Sequence, residues 1–141
     1  MAGLARSVAT LRIEGDALVP QEVTTLLGCD PTRSHALGDV LSSRRTPAKT
    51  ADFGLWSLEA AEAAPADLDA QVASILARLP EDVRTWQQLG ARFDLSLFCG
   101  WFMEHWNEGV SIAPGTLQAL AERGIRLDVD LYGGDEADAP E

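Results

Sequence analysis

ARFDLSLFCGWFME, residues 91–104, sets Phe93, Leu95, Leu97 and Cys99 against Arg92, Asp94 and Ser96. A repeat of two with one apolar and one polar face predicts a long β-strand, dry on one side and wet on the other. Downstream, SIAPGTLQALAERG (111–124) predicts a helix with Pro114 near its start, Leu117, Leu120 and Ala121 on one side, and Gly124 as its stop. IRLDVDLY (125–132) then closes the domain as a strand, with Ile125, Leu127, Val129 and Leu131 inward and Arg126, Asp128, Asp130 and Tyr132 outward.

Upstream, EDVRTWQQLG (81–90) predicts a short helix that starts near Asp82, ends at Gly90, and lays Val83, Trp86 and Leu89 on the core. Before it, Pro65 opens a helix with Asp67 and Asp69 in the first turn and Leu68, Val72, Ile75, Leu76 and Leu79 at helical spacing, until Pro80 stops it. FGLWSLEA (53–60) has strand character, with Phe53, Leu55 and Ser57 facing one way and Trp56 and Leu58 the other; either face can be the buried one. SVATLRIE (7–14) alternates with Ala9, Leu11 and Ile13 on one face. DALVPQEVTTLLG (16–28) follows as a helix, with Pro20 near its start, Val23, Leu26 and Leu27 on one side, and Gly28 as its end.

The order is strand, helix, strand, strand, helix pair, strand, helix, strand, with no evident repeat of 20 to 50 residues. Clean alternation in the first and last two strands calls for a mostly antiparallel sheet of about five strands, with helices packed on one face. The expected class is α+β, a ferredoxin-like βαββαβ start with a helix-strand extension.

The chain has 141 residues, 46% of them hydrophobic and 23% charged, the balance of one globular domain. We expect that domain over residues 1–132, followed by a disordered acidic tail over 133–141. Formal net charge is −11, and without the tail carboxylates of Asp135, Glu136, Asp138 and Glu141 it is still about −7. Such a chain repels a phosphate backbone, so nucleic acid is not an expected ligand, whereas a basic protein partner is. The N-terminus lacks a charged segment leading into an apolar core, and no run approaches membrane-span length, which gives a cytoplasmic expectation.

LGCDPTRSHALGD (27–39) crowds Cys29, Asp30, Arg33 and His35 together. Gly28 ends the helix in the left-handed conformation and Asp30-Pro31 cannot continue it, so the stretch is first of all a chain reversal. After it, Thr32 to Val40 can run extended, broken at Gly38.

The TLRIEG strand, the glycine-proline pattern of Leu27-Gly28, Pro31-Thr32 and Gly38, GLWSLE and LQALAERGIRLDVDLY occur in a fixed order from Ser7 to Tyr132. In this the chain resembles a bacterial domain-of-unknown-function family, family 4279. The resemblance implies a compact α+β domain and a bacterial source, and it carries no activity or catalytic residues with it.

Four surfaces are candidates. Asp94, Asp128 and Asp130 stand on outward strand faces, where they form an acidic docking face unless Arg12, Arg92 or Arg126 lies between them. WFMEHWNEG (101–109) offers Trp101, Trp106 and His105 as a contact surface, tryptophan being enriched at binding hot spots. Glu104, His105 and Glu108 there lack HExxH spacing, and neither this group nor Cys29 with Cys99 predicts a metal. The alternative site is Cys29, Asp30, Arg33 and His35, an imidazole activating a thiol if the turn folds them inward. Finally LSSRRTPAKT (41–50) carries Arg44, Arg45 and Lys49, a loop able to hold an anion or the acidic tail.

No coherent catalytic set and no cofactor emerge. The leading expectation is a non-catalytic protein-interaction module that uses an acidic sheet face, with an immunity-like role as its special case. The alternatives are a small-molecule binder or enzyme at the Cys29 to His35 turn, and a homodimer through the wet sheet face.

Overall fold

The computed structural model describes residues 2–42 and 48–133. In chain order the elements are β1 (Ala2–Gly3), β2 (Arg6–Gly15), α1 (Pro20–Leu27), β3 (Arg33–His35), β4 (Val40–Leu41), β5 (Lys49–Thr50) and β6 (Gly54–Glu59). They continue with α2 (Leu68–Leu76), α3 (Val83–Arg92), β7 (Asp94–Phe102), β8 (Glu108–Gly109), α4 (Pro114–Glu122) and β9 (Arg126–Tyr132).

The main sheet has the order β3-β6-β2-β7-β9. Its first four strands pair antiparallel with one another. With helices between β2 and β3 and between β6 and β7, that order is the ferredoxin-like split βαβ arrangement. β9 extends it parallel to β7, as it must when a helix carries the chain back to the starting end of the sheet. The fold is therefore α+β, with a mostly antiparallel five-stranded sheet, and β4 and β5 form a separate small hairpin. The short β1 pairs with β8.

Register settles the face of β6. Leu58 lies opposite Leu11, and Trp56 opposite Ile13. Since Leu11 and Ile13 belong to the buried face of β2, Trp56 and Leu58 join them in the core with Val72, Ile75, Trp86, Leu89, Leu95 and Leu97. Among the described residues all four helices lie on that side, and none covers the opposite face.

Two helices stop where the glycines require. Gly28 and Gly124 both have φ near +67°, a conformation that a side chain disfavours. Three local expectations are corrected. α2 begins at Leu68 rather than at Pro65, because Asp67 caps it by accepting the Ala70 N–H at 3.1 Å. α3 runs through Gly90 to Arg92, so that glycine does not end it. Val83, at its start, is partly exposed while Trp86 and Leu89 are buried.

The fourth correction concerns β9. Ile125 is buried and Leu127 half-buried, yet Val129 and Leu131, expected inward, are exposed. α4 has only nine residues and covers the beginning of an edge strand that has a neighbour on one side alone.

A buried polar knot ties β2 to α2. Gln71 donates to the carbonyls of Ser7 (2.9 Å) and Ala61 (3.0 Å), and its own side-chain oxygen accepts from the Ser7 hydroxyl at 2.7 Å. α4 is capped from a distance. Asp69 of α2 accepts from the Ala113 N–H at 3.0 Å and from the Thr116 hydroxyl at 2.6 Å.

Candidate functional site

The helix-free face of the sheet holds a row of side chains that only the register brings together. Arg33 pairs with Ser57, Ser57 with Arg12, Arg12 with Ser96, and Ser96 with Arg126. Arginines thus occupy alternate strands, and the serines between them are buried although no helix covers them. A small hydroxyl on the intervening strands leaves room for arginine stems to lie along the sheet.

Each arginine has an acidic neighbour. Arg33 reaches Glu59 at 3.8 Å and Arg12 reaches Glu14 at 3.0 Å. Arg126 makes two forked contacts, to Asp94 at 2.9 and 3.0 Å and to Asp128 at 3.0 and 3.1 Å. The hydrogen bond from Arg126 holds the Asp128 carboxyl below its ordinary value, and Arg126 is raised in turn by Asp128 and Asp94. Asp130 accepts from the Tyr132 hydroxyl at 2.7 Å, which pushes the Tyr132 pKa up.

The three expected aspartates do share one face, but it is not an acidic one overall. Arg126 sits between Asp94 and Asp128, Arg92 turns instead to Glu22 of α1, and Arg12 and Arg33 add further positive charge. Apolar groups fill the remaining places. Phe98 lies under the Arg12 guanidinium at 5.6 Å, and Phe102 is sandwiched between Arg6 at 3.7 Å and the stacked Tyr132 ring at 4.6 Å.

The aromatic turn is divided. Alternation along β7 sends Trp101 toward the helix side, where it packs against the core, and Phe102 to the open face. Trp106 is 50% exposed in the turn beyond. Glu108 is occupied by that turn, since one oxygen accepts the N–H groups of Ala5 and Glu104 and the other that of His105, all at 3.0 Å. Partial desolvation would raise this carboxyl, but the three backbone donors and nearby His105 outweigh it and lower the pKa. Among the described residues, no three His, Cys, Asp or Glu side chains group to hold a metal ion.

A depressed folded pKa makes the Glu108 contribution present above its unfolded value and lost as pH falls through the folded one. Hydrogen-exchange protection of the Ala5, Glu104 and His105 amides should therefore weaken on acidification, and Glu108→Ala should abolish the pH dependence. Unchanged protection in that variant would show that the carboxylate does not hold the turn.

The alternative cluster comes apart in space. Cys29 is half-buried against the core, its thiol donating to the Asp30 carbonyl at 3.5 Å. His35 pairs with Leu55, the neighbour of inward-facing Trp56, and so points to the open side, where it meets the Phe53 ring edge-on at 5.6 Å. Asp30 and Arg33 are exposed. A thiol on the core side of the sheet and an imidazole on the open side do not make a nucleophile-base pair. Beside His35 and Arg33, the β4 hairpin walls a hollow of about 720 Å³ that also includes Ser34, Ser42, Leu41 and Leu55. Lys49 is exposed on β5, whereas Arg44, Arg45 and the tail lie outside the described residues.

The second thiol, Cys99, is fully buried in β7. Burial, with the Asp128 carboxylate adding to it, pushes its pKa up to about 12. Because the thiolate is the reactive form, iodoacetamide at neutral pH should modify native protein at Cys29 alone and reach Cys99 only after unfolding, as read by intact mass. Two rapid additions to folded protein would contradict this burial.

No helix among the described residues is long and apolar enough to cross a membrane. No curated protein and no solved structure matches the chain. A family model described as Domain of unknown function (DUF4279) matches residues 5–134, which include every strand of the main sheet and all four helices. The chain therefore belongs to the DUF4279 family.

Proposed function

We propose that the chain is a non-catalytic protein-interaction module that docks a partner on its helix-free sheet face. The observation that carries this reading is the arginine-serine row flanked by half-buried Phe98, Leu55 and Phe102. Arginine and aromatic side chains on a pre-formed, rigid surface are the groups that dominate protein interfaces. The reading rests on this mixed surface and no longer on an acidic field, since the arginines offset most of the face's carboxylates. Its special case is an immunity-like role, a small acidic chain covering a basic toxin, supported by size and net charge.

The test is affinity capture from the cells that encode the chain, comparing the wild type with Arg12→Glu and Phe98→Asp after circular dichroism has shown both variants folded. A stoichiometric partner should be retained by the wild type and lost by both, since one hot-spot side chain contributes about 2 kcal/mol or more to binding. Equal capture by all three proteins, or none by the wild type, would refute the reading.

The hollow beside Arg33 and His35 supports a second reading, a small-molecule site without a role for Cys29. Ligand-observed NMR with a fragment mixture tests it. Binding should be lost in His35→Ala, and a hollow that takes up no fragment would end this version.

A further inference from the structure

We propose that the free edge of β9 receives an extended, basic segment of a partner protein as a sixth strand of the sheet. Cations of that segment would lie over Asp128 and Asp130, and its apolar side chains over Val129 and Leu131. This rests on the interaction-module reading and adds the docking element and the chemistry of the partner.

Backbone geometry supplies the first part of the argument. β9 ends the strand order among the described residues, and it keeps unbroken register with β7 from Ser96 to Phe102. The Tyr132 carbonyl accepts the Met103 N–H at 3.0 Å, so it points toward the β7 side. In a regular strand the N–H and C=O of one residue point the same way and alternate along the chain. The backbone groups of Leu127, Val129 and Leu131 therefore face outward. Natural proteins blunt such an edge with proline, charged side chains, a bulge or a covering helix. RLDVDLY holds no proline or lysine and α4 covers only its start, while the carboxylates it carries, Asp128 and Asp130, turn away an acidic strand and admit a cationic one.

Side chains specify what fits. On the helix side Val129 is 40% exposed and Leu131 64%, an apolar strip with nothing above it among the described residues. On the open side one cation, Arg126, serves both Asp94 and Asp128, while Asp130 has the hydroxyl of Tyr132. Three carboxylates against one guanidinium in contact, with Arg12 acting on Asp128 only from a distance, leave this rim negative. An incoming strand that alternates cationic and apolar residues matches both of its sides.

The same pattern argues against a second copy. Two β9 strands pairing antiparallel about a two-fold axis on residue 129 would set Asp128 against Asp130 twice, and an axis on residue 130 would set Asp130 against itself; an axis on residue 128 sets Asp128 against itself, although it also brings Arg126 opposite Asp130. Like charges directly opposite destabilise a strand pair.

The experiment uses the full chain and a capped peptide, Lys-Val-Lys-Val-Lys-Val, with Glu-Val-Glu-Val-Glu-Val as its control, and follows the amides of β9 by NMR. The lysine peptide should shift the Leu127, Val129 and Leu131 amides and slow their exchange, and the glutamate peptide should leave them unchanged. Replacing both Asp128→Asn and Asp130→Asn should weaken binding about fivefold, the scale of two exposed ion pairs, and so should raised salt. Leu131→Lys, a surface change that leaves the core intact, should weaken it as well.

The proposal falls if the lysine peptide at millimolar concentration leaves β9 unchanged or if both peptides bind alike. It also falls if the three amides are protected without peptide while light-scattering mass doubles with concentration, because the edge then belongs to a second copy. If β9 fails any of these tests while Arg12→Glu and Phe98→Asp still abolish partner capture, the interaction-module reading stands and only the edge assignment is lost.

Discussion

Trp56→Ala should lower the free energy of unfolding by about 3–5 kcal/mol, the range for removing a large aromatic from a packed core. That is a large part of the roughly 5–15 kcal/mol that holds a domain of ordinary stability. Trp56 is fully buried on the central-facing side of β6, opposite Ile13 of β2 and Ser34 of β3. Its indole N–H also donates to the Thr24 hydroxyl of α1 at 3.0 Å, which fastens the first helix to the sheet. The alanine variant would therefore lose both the packing between layers and a hydrogen bond that ties α1 to the sheet. Urea denaturation followed by circular dichroism measures the change without relying on tryptophan emission. Trp56→Phe should recover most of the lost stability, since a ring of similar breadth refills the site. A loss below about 1 kcal/mol in Trp56→Ala would mean that the helix layer packs on the sheet differently from what is described here.

Gln71→Leu should cost about 3 kcal/mol although it adds apolar volume to a buried site. The amide satisfies the Ala61 carbonyl and the Ser7 hydroxyl and shares the Ser7 carbonyl with the Ala63 N–H, and a buried polar group left without a partner costs about 1–3 kcal/mol. The pair Ser7→Ala with Gln71→Leu should be less destabilised than the two single changes summed, by about 0.5–3 kcal/mol, because removing both ends of a hydrogen bond leaves neither one orphaned. Additivity in this cycle, measured by the same urea transitions, would show that the knot does not act as a unit.

These two sites differ in how far the chain announces them. Trp56 stands in an alternating run and was expected to lie on one face or the other, but which face depends on the partners in neighbouring strands. Gln71 gives no local sign of burial at all, since a polar side chain within a helix ordinarily faces water. Its burial follows from the loop at Ala61 and from β2, which folding brings against α2. Asp69 and Glu108 are similar cases. Sequence alone assigns Asp69 to a helix dipole and gives Glu108 no role, and each satisfies backbone N–H groups of a segment far away in the chain or across a turn.

The outward placement of Asp94, Asp128 and Asp130 is legible in the sequence, because alternation is a property of each strand separately. Their shared cation was not assignable, since Arg126 meets Asp94 only through the parallel register of β7 and β9. Cys29 and His35 show the reverse. They are six positions apart, and their closeness in sequence suggested a site that the reversal after Gly28 takes apart.

By itself, the sequence determined the chain order of the helices and the five main-sheet strands, the α+β class, the glycine stops of α1 and α4, and the wet and dry sides of β2 and β7. All of these are written in spacing of two or of three to four residues, which acts over a few bonds. The tertiary structure alone decided the arginine-serine row, the buried face of β6, the split of the aromatic turn, and the bare outer half of β9. Those depend on strand register and on how far a helix reaches over an edge, and both are set by the packing of the whole sheet at once.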